Sequence, residues 1–257
     1  QAARAGHAAR AVARGAPGAR APRLKRIETP ALLVRSVPYG EADLVVTFFT
    51  ETDGKLAAVV RGARRSAKRF GGALEPIHEL VVSLEARGKE LCVLKEARIG
   101  RARLGVTADL TAMEAAGTAL RWVRHLCPAR TPEPAVWRGL SELLEWLDAR
   151  AEPGASCDPA LVVFGLRLLA DVGYALDLER CTRCGRACPE GSAAQVDAAG
   201  GGLVCRTCGG ARRTISGQLR AAASRALAGE DGGLTERQAR ELLTLVEDAM
   251  AAHAGFD

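Results

Sequence analysis

Cys181-x-x-Cys184 and Cys205-x-x-Cys208 stand 20 residues apart, and this pairing restricts the fold more than any other feature of the chain. Each knuckle presents two thiolates to one tetrahedral ion, so two knuckles at this spacing form a four-cysteine zinc site. Glycine follows both, as Gly185 and as Gly209-Gly210, and Gly200-Gly201-Gly202-Leu203-Val204 reads as a turn feeding a short strand. An insert of about 178–212 is too small for a core of its own, so the metal would supply its folding free energy. A disulfide framework would need an oxidising compartment, and residues 1–26 contain no apolar export segment. A redox CxxC would sit near a βαβ pattern, which the sequence lacks. Four thiolates leave no open position for water or substrate, which argues against metal catalysis. Cys188 could stand in for a knuckle cysteine but lacks the paired spacing. Cys92, Cys127 and Cys157 are isolated and read as small buried hydrophobes. None of His7, His78, His125 and His253 has a metal-ligand spacing; His78 and His125 read as packed or surface residues.

The flanking sequence sets the architecture. Five runs of strand length, 31–37 (ALLVRSV), 43–50 (DLVVTFFT), 55–61 (KLAAVVR), 77–85 (IHELVVSLE) and 90–97 (ELCVLKEA), are rich in Val, Leu and Phe and separated by turn residues. This predicts a small five-stranded OB-type barrel over 29–105. After about Thr107 the period becomes helical. Segments 110–126, 135–147, 160–175, 216–228 and 235–253 carry apolar residues at helical spacing, with Met113, Leu120, Val123 and Leu126 on one face of the first. Asp158-Pro159 starts the third of these, and Thr235-x-x-Gln238 is a capping box at the last. The expected class is α+β: an N-terminal OB-fold barrel, then an α-helical domain over 106–257 with an inserted four-cysteine zinc ribbon.

Charge is polarised along this plan. The formal net charge is +6, but residues 1–26 hold seven cations and no acid. Residues 1–28 therefore read as a basic, disordered extension outside the fold, although an Arg- and Ala-rich, acid-free start also has the composition of a transit peptide. Residues 31–105 carry 13 basic and 9 acidic side chains, and residues 106–257 carry 16 and 20, which suggests a protein-facing helical domain. Arg61, Arg64, Arg65, Lys68 and Arg69 place five cations within nine residues after the third strand. Such a loop can contact successive phosphates and release counterions. Candidate phosphate contacts are these five with Lys55 and, more weakly, Arg35. Tyr39 in a turn is the candidate stacking ring. Phe48 and Phe49 are adjacent in a strand, so one faces the core and the other is free to face a ligand. No stretch free of charged residues exceeds eight, which excludes a membrane-spanning helix. Phosphate-loop, nucleophile-elbow, zinc-protease and dinucleotide motifs are all missing.

The chain resembles the bacterial RecO family of DNA repair and recombination proteins. The similar passages are Ala31-Leu32-Leu33-Val34-Arg35, Pro38-Tyr39-Gly40-Glu41-Ala42-Asp43, Thr47-Phe48-Phe49-Thr50, Gly54-Lys55-Leu56, Arg61-Gly62-Ala63-Arg64-Arg65, Gly71-Gly72-Ala73-Leu74-Glu75-Pro76 and the two cysteine knuckles. Residues 1–28 exceed the few that family members carry before the first strand, which leaves the native start in question. The resemblance implies an OB fold with a helical C-terminal domain and a zinc finger. It also implies binding to single- and double-stranded DNA, strand annealing, and assistance in loading RecA at gaps in the RecF pathway. The implied partners are RecR and the C-terminal tail of single-strand binding protein, in the cytoplasm and away from membranes. Two other classes fit the bare residues: an RNA-binding module built from an OB barrel and a zinc ribbon, and a zinc-dependent nuclease.

Overall fold

A computed structural model describes residues 24–64, 70, 74–87, 91–228 and 233–254. Strands β1 (Leu24–Tyr39), β2 (Asp43–Thr50), β3 (Gly54–Val60), β4 (Glu79–Arg87) and β5 (Cys92–Arg101) close a barrel in the order β1-β2-β3-β5-β4. Neighbours are antiparallel except β3 and β5, the arrangement of an OB fold. β1 closes the barrel by serving two partners. Its first part pairs with β4 from Leu24 to Leu32, its second with β2 from Ala31 to Tyr39, and the register shifts between Leu33 and Arg35. A bulge at that point bends the strand from one partner to the next.

β1 begins inside the segment expected to lie outside the fold, so residues 24–28 belong to the barrel. Ile27 and Thr29 are buried while Lys25, Arg26 and Glu28 are exposed. Period-2 alternation with one apolar residue among charged ones is hard to see in sequence. Arg26 Nε donates to Ser83 Oγ at 3.0 Å and Lys25 Nζ to Asp53 at 3.2 Å, so both cations of this stretch are held against the barrel wall. β4 starts two residues later than expected because Ile77 has φ +84, a conformation no strand residue adopts.

Helices α1 (Leu104–Ala108), α2 (Leu110–Leu126), α3 (Pro134–Ala149), α4 (Asp158–Asp171), α5 (Gly217–Leu227) and α6 (Glu236–Ala254) form the second domain. Asp109 caps α2, accepting from the Thr111 N–H at 3.0 Å, and Thr235 and Gln238 cap α6 reciprocally at 3.0 and 3.3 Å. The buried face of α2 is alanine-rich (Ala112, Ala115, Ala116, Ala119) and Met113 points outward. These small residues let neighbouring helices approach closely, a signal that counting large apolar residues misses. Trp122 and Phe164 stack at 6.4 Å across α2 and α4. Among the described residues no helix is long and apolar enough to cross a membrane.

The barrel has a core of its own and lends residues to that of the helices. Leu33 and Phe48 fill the barrel, whereas Leu32 and Phe49, one residue along each strand, turn outward into the core of the helical domain. Phe49 is fully buried with its ring 5.9 Å from that of Trp137, so the second phenylalanine of the pair faces a helix and not a ligand. Arg103, at the barrel's exit, is wholly buried: its Nη1 donates to the Ile77 carbonyl at 2.8 Å, its main-chain N–H donates to His78 Nδ1 at 3.2 Å, and Glu79 lies 3.6 Å away. Between α4 and α5 the chain forms a small sheet of β6 (Asp177–Cys181), β7 (Ala194–Asp197), β8 (Gly202–Leu203) and β9 (Arg213–Ile215), ordered β6-β8-β7-β9.

Candidate metal centre and nucleic-acid interface

The small sheet brings the two knuckles together. The first begins at Cys181, the last residue of β6, and the second continues into a single 3-10 turn, Arg206–Cys208. Gly185 (φ +70) and Gly209 (φ +100) take the left-handed turns that curl each knuckle back on itself, with the Gly185 N–H donating to the Cys181 carbonyl at 2.8 Å. The sulfurs of Cys181, Cys184, Cys205 and Cys208 all lie within 4.8 Å of one another, and Cys184 and Cys205 are 3.7 Å apart. The Cys205 N–H donates to Cys181 Sγ at 3.4 Å, and this bond leads the causes that lower the Cys181 thiol to about 6. Its neighbours Cys205 and Cys184 push Cys208 up to about 12. Four thiolates so close repel one another, and a bound cation relieves that repulsion. The set can hold a metal ion.

Cys188 stays out of this set. Its sulfur accepts from Arg220 Nη1 at 3.0 Å. Arg220, on the buried face of α5, also donates to the carbonyls of Leu178 at 2.9 Å, Ser192 at 2.8 Å and Pro189 at 3.1 Å. One guanidinium thereby fastens the sheet to the helical domain. Sequence reasoning missed it, yet a signal exists: Arg220 falls in phase with Ala223 and Ala226 on an apolar stripe.

The basic loop leaves β3 beside the β1–β2 turn. The Arg64 N–H donates to the Ala42 carbonyl at 2.9 Å, its Nη1 donates to the Gly40 carbonyl at 3.3 Å, and the Gly62 N–H donates to Asp43 at 2.8 Å. These bonds hold exposed Arg64 against the β1–β2 turn, beside Tyr39, which is 62% exposed, and Arg61 on the same loop is exposed too. Arg65, Lys68 and Arg69 lie outside the described residues, as do residues 1–23 of the basic extension.

Lys55, a candidate phosphate contact, stands apart from the basic loop: it is half-buried in the seam between domains, its Nζ bonded to the Arg124 carbonyl and its own carbonyl accepting from the Arg130 N–H at 3.0 Å. Burial lowers its pKa. Arg35 is exposed on β1, apart from the loop, where it lines a groove with Arg121 and Arg124 of α2. His125 is half-buried, its pKa lowered by burial and then by Arg124, Lys55, Arg121 and Arg35. Arg121 and Arg124 were not singled out from sequence, although their spacing of three residues on a helix puts them on one face.

The fold is a closed OB-type barrel packed on a helical domain that carries a ribbon whose four clustered cysteines can hold a metal ion. Comparison with known proteins makes the assignment narrower. The profile "Recombination protein O N terminal" matches residues 24–103 and "Recombination protein O C terminal" matches residues 107–256. The chain is 35% identical over 233 residues to a protein of Geobacter metallireducens named DNA repair protein RecO, covering 90% of this chain and 93% of that one. Proteins of the same name from Anaeromyxobacter sp. (35% identical, 86% and 90% covered) and Myxococcus xanthus (36%, 72% and 74%) are also similar. The chain belongs to the RecO family of DNA repair proteins.

Proposed function

We propose that this protein is a non-enzymatic mediator of recombinational DNA repair in the cytoplasm. It binds single- and double-stranded DNA, anneals complementary strands and helps load RecA at gaps, with RecR and the C-terminal tail of single-strand binding protein as its protein partners. The observation that carries this reading is the anchoring of exposed Arg64 to the β1–β2 turn beside exposed Tyr39, with exposed Arg61 on the same loop, at one end of an OB barrel. Cations neutralise phosphates without regard to sequence, and an aromatic ring stacks any base. Bringing two strands to one basic surface lowers their mutual repulsion, which is what annealing requires.

The metal in this reading is one structural zinc ion held by Cys181, Cys184, Cys205 and Cys208. Tetrahedral Zn–S bonds of about 2.3 Å put sulfurs roughly 3.8 Å apart, and the Cys184–Cys205 separation of 3.7 Å fits. All-sulfur donation favours zinc over hard cations. Zinc supplies folding free energy to the ribbon, and the four ligands exclude substrate from the ion, which disfavours a nuclease.

Replacing Arg64, Arg65, Lys68 and Arg69 together by alanine is expected to weaken DNA binding and flatten its dependence on salt, measured by fluorescence anisotropy. The annealing rate of the full chain, with and without RecR, should fall in parallel. Unchanged affinity and salt slope would overturn the site; preference for RNA over the matched DNA strand would favour the RNA-binding alternative.

A further inference from the structure

The barrel has an open edge that faces a second set of cations. β4 covers one edge of β1 only as far as Leu32, while β2 covers the other from Ala31 to Tyr39. Beyond Leu32 the first edge has no strand partner among the described residues. Across from it stands α2, and between them runs an open groove of about 950 Å³, walled by residues 33–37 of β1 and by Glu114, Gly117, Thr118, Arg121 and Arg124 of α2. Gly117 leaves the α2 wall clear, since a side chain there would meet nothing within 4 Å.

The groove carries an excess of positive charge. Arg35 and Arg121 are exposed, Arg124 is half-buried, and the one acid on its walls is Glu114. Among the described residues none of the three arginines belongs to an ion pair, whereas arginines elsewhere do: Arg101 with Glu145, Arg150 with Asp109, Arg213 with Asp248 and Arg237 with Glu241. Three guanidiniums around one open channel, with Ser36 and Thr118 as neutral hydrogen-bonding groups, suit a chain of phosphates. An acidic peptide adding a strand to β1 suits the edge less well. The bulge at Val34 breaks its register and Pro38 has no N–H, which leaves Arg35, Ser36 and Val37 as the regular stretch between them.

The groove also leads somewhere. β1 carries it from Arg35 to Tyr39, beside which Arg64 is anchored. At about 3.3 Å per residue this is roughly 13 Å, enough for about four stacked nucleotides at ~3.4 Å each. We propose that a single DNA strand bound at the basic loop continues past Tyr39 along the open edge of β1 and into this groove, where Arg35, Arg121 and Arg124 hold its phosphates. The site deepens the DNA-binding reading and rests on it. It gives the acidic helical domain a direct share in DNA binding through one face of α2.

The test is a salt titration of a fluorescent oligothymidylate with the full chain. R121A/R124A is expected to lower the log–log salt slope by about 1.4 and the affinity about 10- to 30-fold at 0.1 M salt, for two phosphate contacts on a single strand. R121K/R124K, which keeps the charge, should restore most of the slope. Thermal unfolding and metal content equal to the parent protein would show that each variant folds. A folded R121A/R124A with parent affinity and slope overturns the groove; if R61A/R64A is weakened in the same assay, DNA binding itself still stands. Loss of binding to a polyglutamate peptide, with DNA binding intact, would overturn the inference in favour of an acidic protein partner. A parent chain that fails to bind the oligonucleotide removes the DNA reading on which the groove depends.

Discussion

Gly54 shows how much one residue at the seam decides. It turns β2 into β3 at φ +65, and a Cβ there would lie 2.1 Å from the Thr131 carbonyl oxygen. Turn formation and domain docking therefore both require glycine. Gly54→Ala is expected to cost about 2 kcal/mol or more in urea unfolding, from the left-handed backbone together with the clash. Phe49→Ala, which empties the space against Trp137, is expected to cost about 3–5 kcal/mol in the same measurement. Lys55→Ala separates two readings of one cation: stability falls while DNA affinity and its salt slope hold, because the ammonium is spent on the Arg124 carbonyl. Sequence displayed the charge of Lys55 and the ring of Phe49 but not their surroundings. Each points where it does because strand side chains alternate, and the surface waiting on that side is made by helices more than 60 residues away.

At the scale of elements, legibility followed periodicity. β2 and β3 fall almost where their apolar runs predict, and α3 buries Val136, Leu140, Leu143, Leu144 and Leu147 as its pattern requires. The ribbon was legible in its cysteine spacing and in the short strand at Gly202–Leu203, but not in its other strands. β6 buries only Leu178 and Cys181, and β7 only Val196, too few for a period to register. Cys184→Ser is expected to reduce bound metal below one ion per chain, measured by elemental analysis, and to raise amide exchange across residues 177–215. Arg220→Ala should leave the four sulfurs in place but strand the carbonyls of Leu178, Pro189 and Ser192, at a cost of about 3 kcal/mol. Faster exchange confined to the sheet and α5, with metal still bound, would distinguish this clamp from the ligands.

On the scale of the whole molecule, the net charge of +6 was a weaker guide than its placement. Lys25 and Arg26 proved to be barrel residues, and the helical domain, acidic in sum, still turns Arg121 and Arg124 toward the barrel. Because Leu32, Phe49 and Ile77 lie in the helical core, the two domains are expected to unfold in one transition by both calorimetry and fluorescence. One further consequence comes from where the ribbon is inserted. α4 ends at Asp171 and α5 begins at Gly217, yet α4 packs on α6, with the Val246 side chain 2.6 Å from where a Cβ on Gly165 would lie. Although Leu178, Val196, Leu203 and Ile215 pack onto that core, the segment between also has to bring its ends together before the helices can close. An ion gathering Cys181 and Cys205 shortens that segment, as a cross-link does. Metal uptake at the periphery would thus lower the entropy lost in assembling helices at a distance from the ion.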